Sequence, residues 1–147
     1  MNLEDFGLDR EAARKLASFV QDAATGWRPE MILLVGSYAS GRYVRGVSDI
    51  DILVVADNLA PDYFERLGQF DSIVPQGLPL EILAYTPREF TGMLREAHPS
   101  AVDAIEFGQA LVGDERFAQY GAELKEMYRR GLTRTAVSLR LPPGEAS

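Results

Sequence analysis

The chain has 147 residues, 46% apolar and 25% charged, with a formal net charge of −7 and no cysteine. That length suits one domain with a sizeable core, and the missing cysteines exclude disulfides, thiolate metal sites and cysteine nucleophiles. An acidic balance without any basic run argues against extended nucleic-acid binding, which needs clustered Lys and Arg.

No apolar run approaches the ~20 residues of a membrane span, and the opening MNLEDFGLDREAARK is too acidic and too broken for a signal peptide. The expected location is cytoplasmic. Asp9 to about Ala24 reads as a helix, capped by Asp9, with Leu16, Phe19, Val20 and Ala23 in its apolar stripe. Thr25-Gly26, with Pro29 beyond, should stop it. Met31 to Val35 (MILLV) is a short, fully apolar strand, and Gly36 to Ser48 holds a turn or short helix and a loop around Gly46. Asp49 to Val55 is the second strand, after which Pro61 opens a short helix with Tyr63, Phe64 and Leu67 on one side.

Leu80 to Tyr85 is the third strand, with Leu80, Ile82 and Ala84 on one face and Glu81, Leu83 and Tyr85 on the other. Thr86-Pro87-Arg88-Glu89 has the spacing of a capping box and starts a helix that stops near His98-Pro99. Ser100 should cap the next helix, which Gly108 ends, and Ala110 to Val112 adds a short edge strand. Asp114 should cap the last helix, with Phe117, Tyr120 and Leu124 on its buried side and Gly131 just past its end. The expected fold class is α/β of the α+β type: a small mixed sheet flanked by helices, one domain over residues 1–140 and a flexible tail over 141–147.

The chemistry centres on GSYASGRYVRGVSDIDILVV, Gly36 to Val55. In a strand, residues i and i+2 share a face ~7 Å apart, so Asp49 and Asp51 point the same way among Ile50, Ile52 and Leu53. Aligned carboxylates in apolar surroundings are costly to keep ionised unless a cation sits between them. The bland alternative is a strand end whose aspartates bond to loop N–H groups. Glu81, inside another apolar strand, supplies a third carboxylate and favours the metal site. Oxygen ligands without nearby His or Cys suit Mg²⁺ or Mn²⁺ better than Zn²⁺.

Backbone N–H groups after Gly36-Ser37 can attract phosphate oxygens. Gly36 is glycine either for close approach of a phosphate or for a turn needing positive φ. Arg42 and Arg45 either reach a phosphate or are simply solvated. Gly36 to Gly41 has P-loop spacing, but Arg42-Tyr43 replaces the required Lys-Ser/Thr, which excludes that motif. His98, the only histidine, lies at a helix boundary and reads as structural, so a Ser-His-Asp mechanism is not expected. Tyr38 and Tyr43 either stack on a base or pack locally.

Gly36-Ser37, then Asp49-x-Asp51 beginning twelve positions after Ser37, then Glu81 in a later strand, resembles the DNA polymerase beta nucleotidyltransferase superfamily. Within it, the chain is most similar to the minimal nucleotidyltransferases of bacteria and archaea, and EILAYTPREF is similar to their corresponding stretch. The resemblance covers Met31 to Phe90, with FGQALVGD (107–114) fitting more loosely. It implies a polymerase-beta-like fold and two-metal, Mg²⁺-dependent transfer of a nucleoside monophosphate from a nucleoside triphosphate, ATP by default. Carried over, Gly36 and Ser37 would hold the triphosphate, Asp49 and Asp51 would bind both metals, and Glu81 would bind the catalytic metal and help activate the acceptor hydroxyl. No acceptor-binding domain of the polymerase or antibiotic-modifying kind is evident, which leaves the acceptor open, a protein included. The alternative is a non-catalytic or antitoxin-like module that docks a helical HEPN-type partner.

Overall fold

The computed structural model describes residues 2–135 and 138–143. Helix α1 spans Arg10–Trp27, capped by the Asp9 carboxylate, which accepts from Ala12 N at 2.8 Å. It runs past the expected stop at Thr25-Gly26, because Trp27 stacks on Phe70 with ring centroids 4.6 Å apart. Arg28, at φ 47°, then ends it.

Four strands form the main sheet: β1 (Met31–Val35), β2 (Ile50–Val55), β3 (Leu80–Tyr85) and β4 (Gln109–Val112), in the order β3-β2-β1-β4. β1 is antiparallel to β2 and β4, whereas β2 and β3 run parallel. The sheet is therefore mixed, as expected, with β4 at one edge. β2 begins at Ile50, so Asp49 stands just outside the strand rather than at its first position.

The short helix α2 (Gly36–Ser40) follows β1 directly. Helix α3 (Tyr63–Gly68) begins after Asp62, whose carboxylate accepts from Phe64 N. Its inner face is Tyr63, Arg66 and Leu67, while Phe64 is 83% exposed, contrary to expectation. The capping box of α4 (Pro87–Arg95) forms as expected, with Thr86 and Glu89 bonding each other's backbone N–H.

His98, not Ser100, caps α5 (Pro99–Phe107), its Nδ1 accepting from Ser100 N at 3.2 Å. Pro99 takes the first helical position, which places the cap two residues before Ser100. Gly113, not Asp114, caps α6 (Asp114–Arg129). Its φ is 85°, and a side chain there would meet the Glu30 carbonyl and Met31. A hairpin, β5 (Thr133–Arg134) with β6 (Leu139–Arg140), follows α6 where no element was expected.

Strand alternation divides the core. Ile32, Leu34, Ile52 and Val54 face α1, where Leu16, Phe19 and Ala23 cover them. Met31, Leu33, Leu53 and Val55 face α4, α5 and α6, packed under Phe90, Val102 and Tyr120. Leu141 also packs against this second cluster, so the expected tail is anchored at its start, and residues 144–147 lie outside the described residues. Among the described residues, no helix is long and apolar enough to cross a membrane.

Candidate active site

β2 and β3 bring the acidic residues together. In their parallel register Asp51 lies beside Glu81, and across the antiparallel pair Asp51 faces Val35, the residue before Gly36. The alternation that sends Leu53 and Val55 under the helices sends Asp51 to the same face, beyond the apolar cover. Both carboxylates line an open cleft of about 930 Å³.

Asp51 is held in an unfavourable place for a negative charge. Burial pushes its carboxyl up from 3.8 to about 6, and the charges of Glu81 and then Asp49 add to the effect, as does a hydrogen bond shared with Glu81. Like charges and desolvation act together here. The charge of Asp49 reaches Asp51, but Asp49 is exposed and does not line the cleft. Among the described residues, no three His, Cys, Asp or Glu side chains converge as a ready-made metal cage.

The donor set nevertheless fits a hard divalent cation. Two adjoining carboxylates and a third within electrostatic reach supply only oxygen ligands, and a cation between them would remove the repulsion that raises Asp51. Gly36 fits the same picture. Its φ is 70°, and a Cβ there would run into Asp51 Oδ2. The positive-φ explanation for this glycine therefore holds, joined by close approach to a carboxylate.

Gly36 and Arg42 line the cleft with Asp51 and Glu81, whereas Ser37 does not. The Ser37 carbonyl is occupied by the turn, accepting from Arg42 N at 2.9 Å and from the Ser40 hydroxyl at 3.3 Å. Arg42 is exposed. Arg45 donates to the Gly7 carbonyl at 3.2 Å and does not line the cleft. Tyr38 and Tyr43 stack on each other, with centroids 4.7 Å apart and planes 9° apart, so they pack locally.

The rest of the lining was not anticipated. It includes Ser100, Asp103, Glu106 and Phe107 of α5 and Arg134 of the hairpin. Ser100 was visible only as a helix cap, and Asp103 and Glu106 only as polar positions three apart, the usual pattern of a solvated helix face. Arg134 carried no signal, since a lone arginine after a helix-ending glycine looks like loop.

A family model for a nucleotidyltransferase domain matches residues 13–107. That span contains β1, α2, β2, β3 and the loop between α2 and β2, hence every anticipated site residue. No curated protein matches the sequence. Among solved structures, the chain is similar to a Sulfolobus solfataricus protein described as a nucleotidyltransferase, at 19% identity and TM-score 0.50, covering 70% of this chain and 81% of that one. It is similar also to a toxin–antitoxin structure with AMP-PNP, at 22% identity and TM-score 0.50, covering 79% and 86%. A weaker likeness, at 18% identity and TM-score 0.47 with 83% and 87% coverage, is to a complex of tri-AMPylated Shewanella oneidensis HEPN toxin with MNT antitoxin.

Proposed function

The chain belongs to the nucleotidyltransferase domain family, and on that premise we propose that it transfers a nucleoside monophosphate, AMP from ATP by default, to an acceptor hydroxyl on a partner protein. The observation that carries this reading is the forced proximity of Asp51 and Glu81 beside Gly36 at the mouth of a cleft. Nothing in the packing of the fold calls for two adjoining carboxylates there.

In this reading the absence of a side chain at Gly36 leaves the triphosphate access to the turn, Ser37 sits behind it, and Arg42 balances phosphate charge. Asp49 and Asp51 hold Mg²⁺ or Mn²⁺, with Glu81 as a further ligand. Bound there, the metals would stabilise the negative charge that develops on the reacting phosphate. Glu81 lies nearest the acceptor and takes the proton of the attacking hydroxyl. The new bond joins the acceptor oxygen to the α-phosphorus, and pyrophosphate leaves.

A protein partner agrees with the toxin–antitoxin neighbour solved with AMP-PNP, and a HEPN-type helical partner is what the resemblance to the minimal nucleotidyltransferases implies. Residues 1–140 act in this scheme as one catalytic unit.

The test is incubation of the protein with α-labelled ATP, Mg²⁺ or Mn²⁺ and a helical partner protein or cell lysate. Label should pass to a protein band with wild type and not with Asp51→Asn. Wild type that binds the partner but transfers nothing, with any nucleotide or metal, would leave the docking module in its place.

A further inference from the structure

The cleft is lined by two groups of residues of different chemistry. In one, Gly36 and Arg42 stand beside Asp51 and Glu81. Arg42 is exposed and makes no ion pair among the described residues, so its charge is available. In the second group, Arg134 is fully engaged. It donates to Asp103 Oδ1 at 2.8 Å and lies 3.4 Å from both Glu106 Oε2 and the Tyr128 hydroxyl.

Those contacts decide what Arg134 can do. One guanidinium against two carboxylates leaves this group with a net negative charge, so it repels a polyphosphate rather than clamping it. What remains on offer is shape. The guanidinium carbon sits 5.2 Å from the centroid of the Phe107 ring, and the ion pairs hold its plane in position. Phe107 is 46% exposed, although its neighbours Val102 and Ile105 on α5 are buried.

A half-exposed ring with a charge-neutralised guanidinium over it still offers flat surface, the open face of the ring or the outer face of the guanidinium, on which an aromatic ring can stack. It stands in the same cleft as the group with a free cation and carboxylates. We infer that Phe107 and Arg134 form the nucleobase subsite of this cleft: the base of the nucleoside triphosphate stacks on them while its phosphates lie toward Gly36 and Arg42. Asp103, Glu106 and Tyr128 are positioning residues that fix Arg134. This inference rests on the proposed nucleotidyl transfer.

The experiment compares two ligands on the intact chain by calorimetry: ATP with Mg²⁺, and inorganic tripolyphosphate with Mg²⁺, which has the charge but no base. Phe107→Ala should weaken ATP binding about five-fold or more, the scale of one lost base–aromatic stack, and leave tripolyphosphate binding unchanged. Phe107→Trp should restore ATP binding. Equal losses for both ligands, or unchanged ATP affinity in Phe107→Ala, would overturn the subsite and leave the proposed transfer standing. Wild type that binds neither ligand would remove both.

Discussion

Two acidic side chains at opposite ends of β3 have opposite fates. Near its end, Arg66 is 3% exposed, yet every contact it makes is favourable. It donates to the Ala60 carbonyl at 2.9 Å, the Ala84 carbonyl at 3.1 Å and Glu89 Oε1 at 2.6 Å. Burial works against ionisation of Glu89, but the hydrogen bond from Arg66, the Thr86 backbone N–H and the Arg66 charge outweigh it and hold the carboxyl below its ordinary value.

At the start of β3, Glu81 adjoins Asp51, and Asp51 moves the other way, up to about 6. Satisfied charge at one end and unsatisfied charge at the other separate a structural pair from the pair proposed to take a ligand. A fold tolerates uncompensated carboxylates where a ligand supplies the missing charge.

The comparison is sharpest under substitution. Glu81→Gln should cut nucleotidyl transfer by about three orders of magnitude, since a group acting on charge that develops in the transition state is lost. Its unfolding free energy in EDTA should hold or rise, because a repulsive neighbour of Asp51 is gone. Labelled transfer and urea unfolding read the two effects separately, and a large loss of stability would assign Glu81 to the structural class.

Arg66→Ala should do the reverse. It leaves the buried Ala84 carbonyl without this donor and opens a cavity, at a cost of about 3 kcal/mol. Transfer by the folded fraction should survive. An Arg66→Ala protein as stable as wild type would erase the distinction drawn above.

Gly36→Ala should cost about 2 kcal/mol, from positive φ and from contact with the Asp51 carboxylate. Because that contact is with Asp51 itself, Mg²⁺ and nucleotide binding should weaken together. Titration of each ligand checks this, and intact Mg²⁺ binding in Gly36→Ala would show the carboxylate free to move aside.

The smallest effect is on pH dependence. The folded value of Asp51 lies above its unfolded one, so its favourable contribution is present below about 3.8 and lost as pH rises through about 6. For a partly exposed group this amounts to roughly 1–2 kcal/mol after solvent screening. In EDTA, wild type should lose that much more stability than Asp51→Asn between pH 4 and pH 8. Parallel pH profiles would mean that burial and the neighbouring carboxylates do not raise Asp51.

Much of this was legible in the residues alone. β1 and β3 have their expected bounds because each is an apolar run closed by glycine, proline or a capping threonine, and such punctuation acts within a few residues. The Thr86–Glu89 box formed for the same reason. Alternation along LEILAY placed Glu81 opposite Ile82 correctly, since side chains in a strand alternate whatever the partner.

Other features had no local cause. The parallel register that sets Asp51 beside Glu81 depends on how the β2–β3 crossover packs, and Asp49 fell outside β2 because strand pairing stops at Ile50. Arg66 looks like any surface arginine until Ala84 and Glu89 arrive from β3 and α4 to accept its protons. Phe107 and Arg134 acquired a role only when the hairpin after α6 folded back onto α5. Sequence determines what a residue can do through its own chemistry and its near neighbours. Which distant groups neutralise it or leave it charged is decided by tertiary packing, and here that difference separates Glu89 from Asp51.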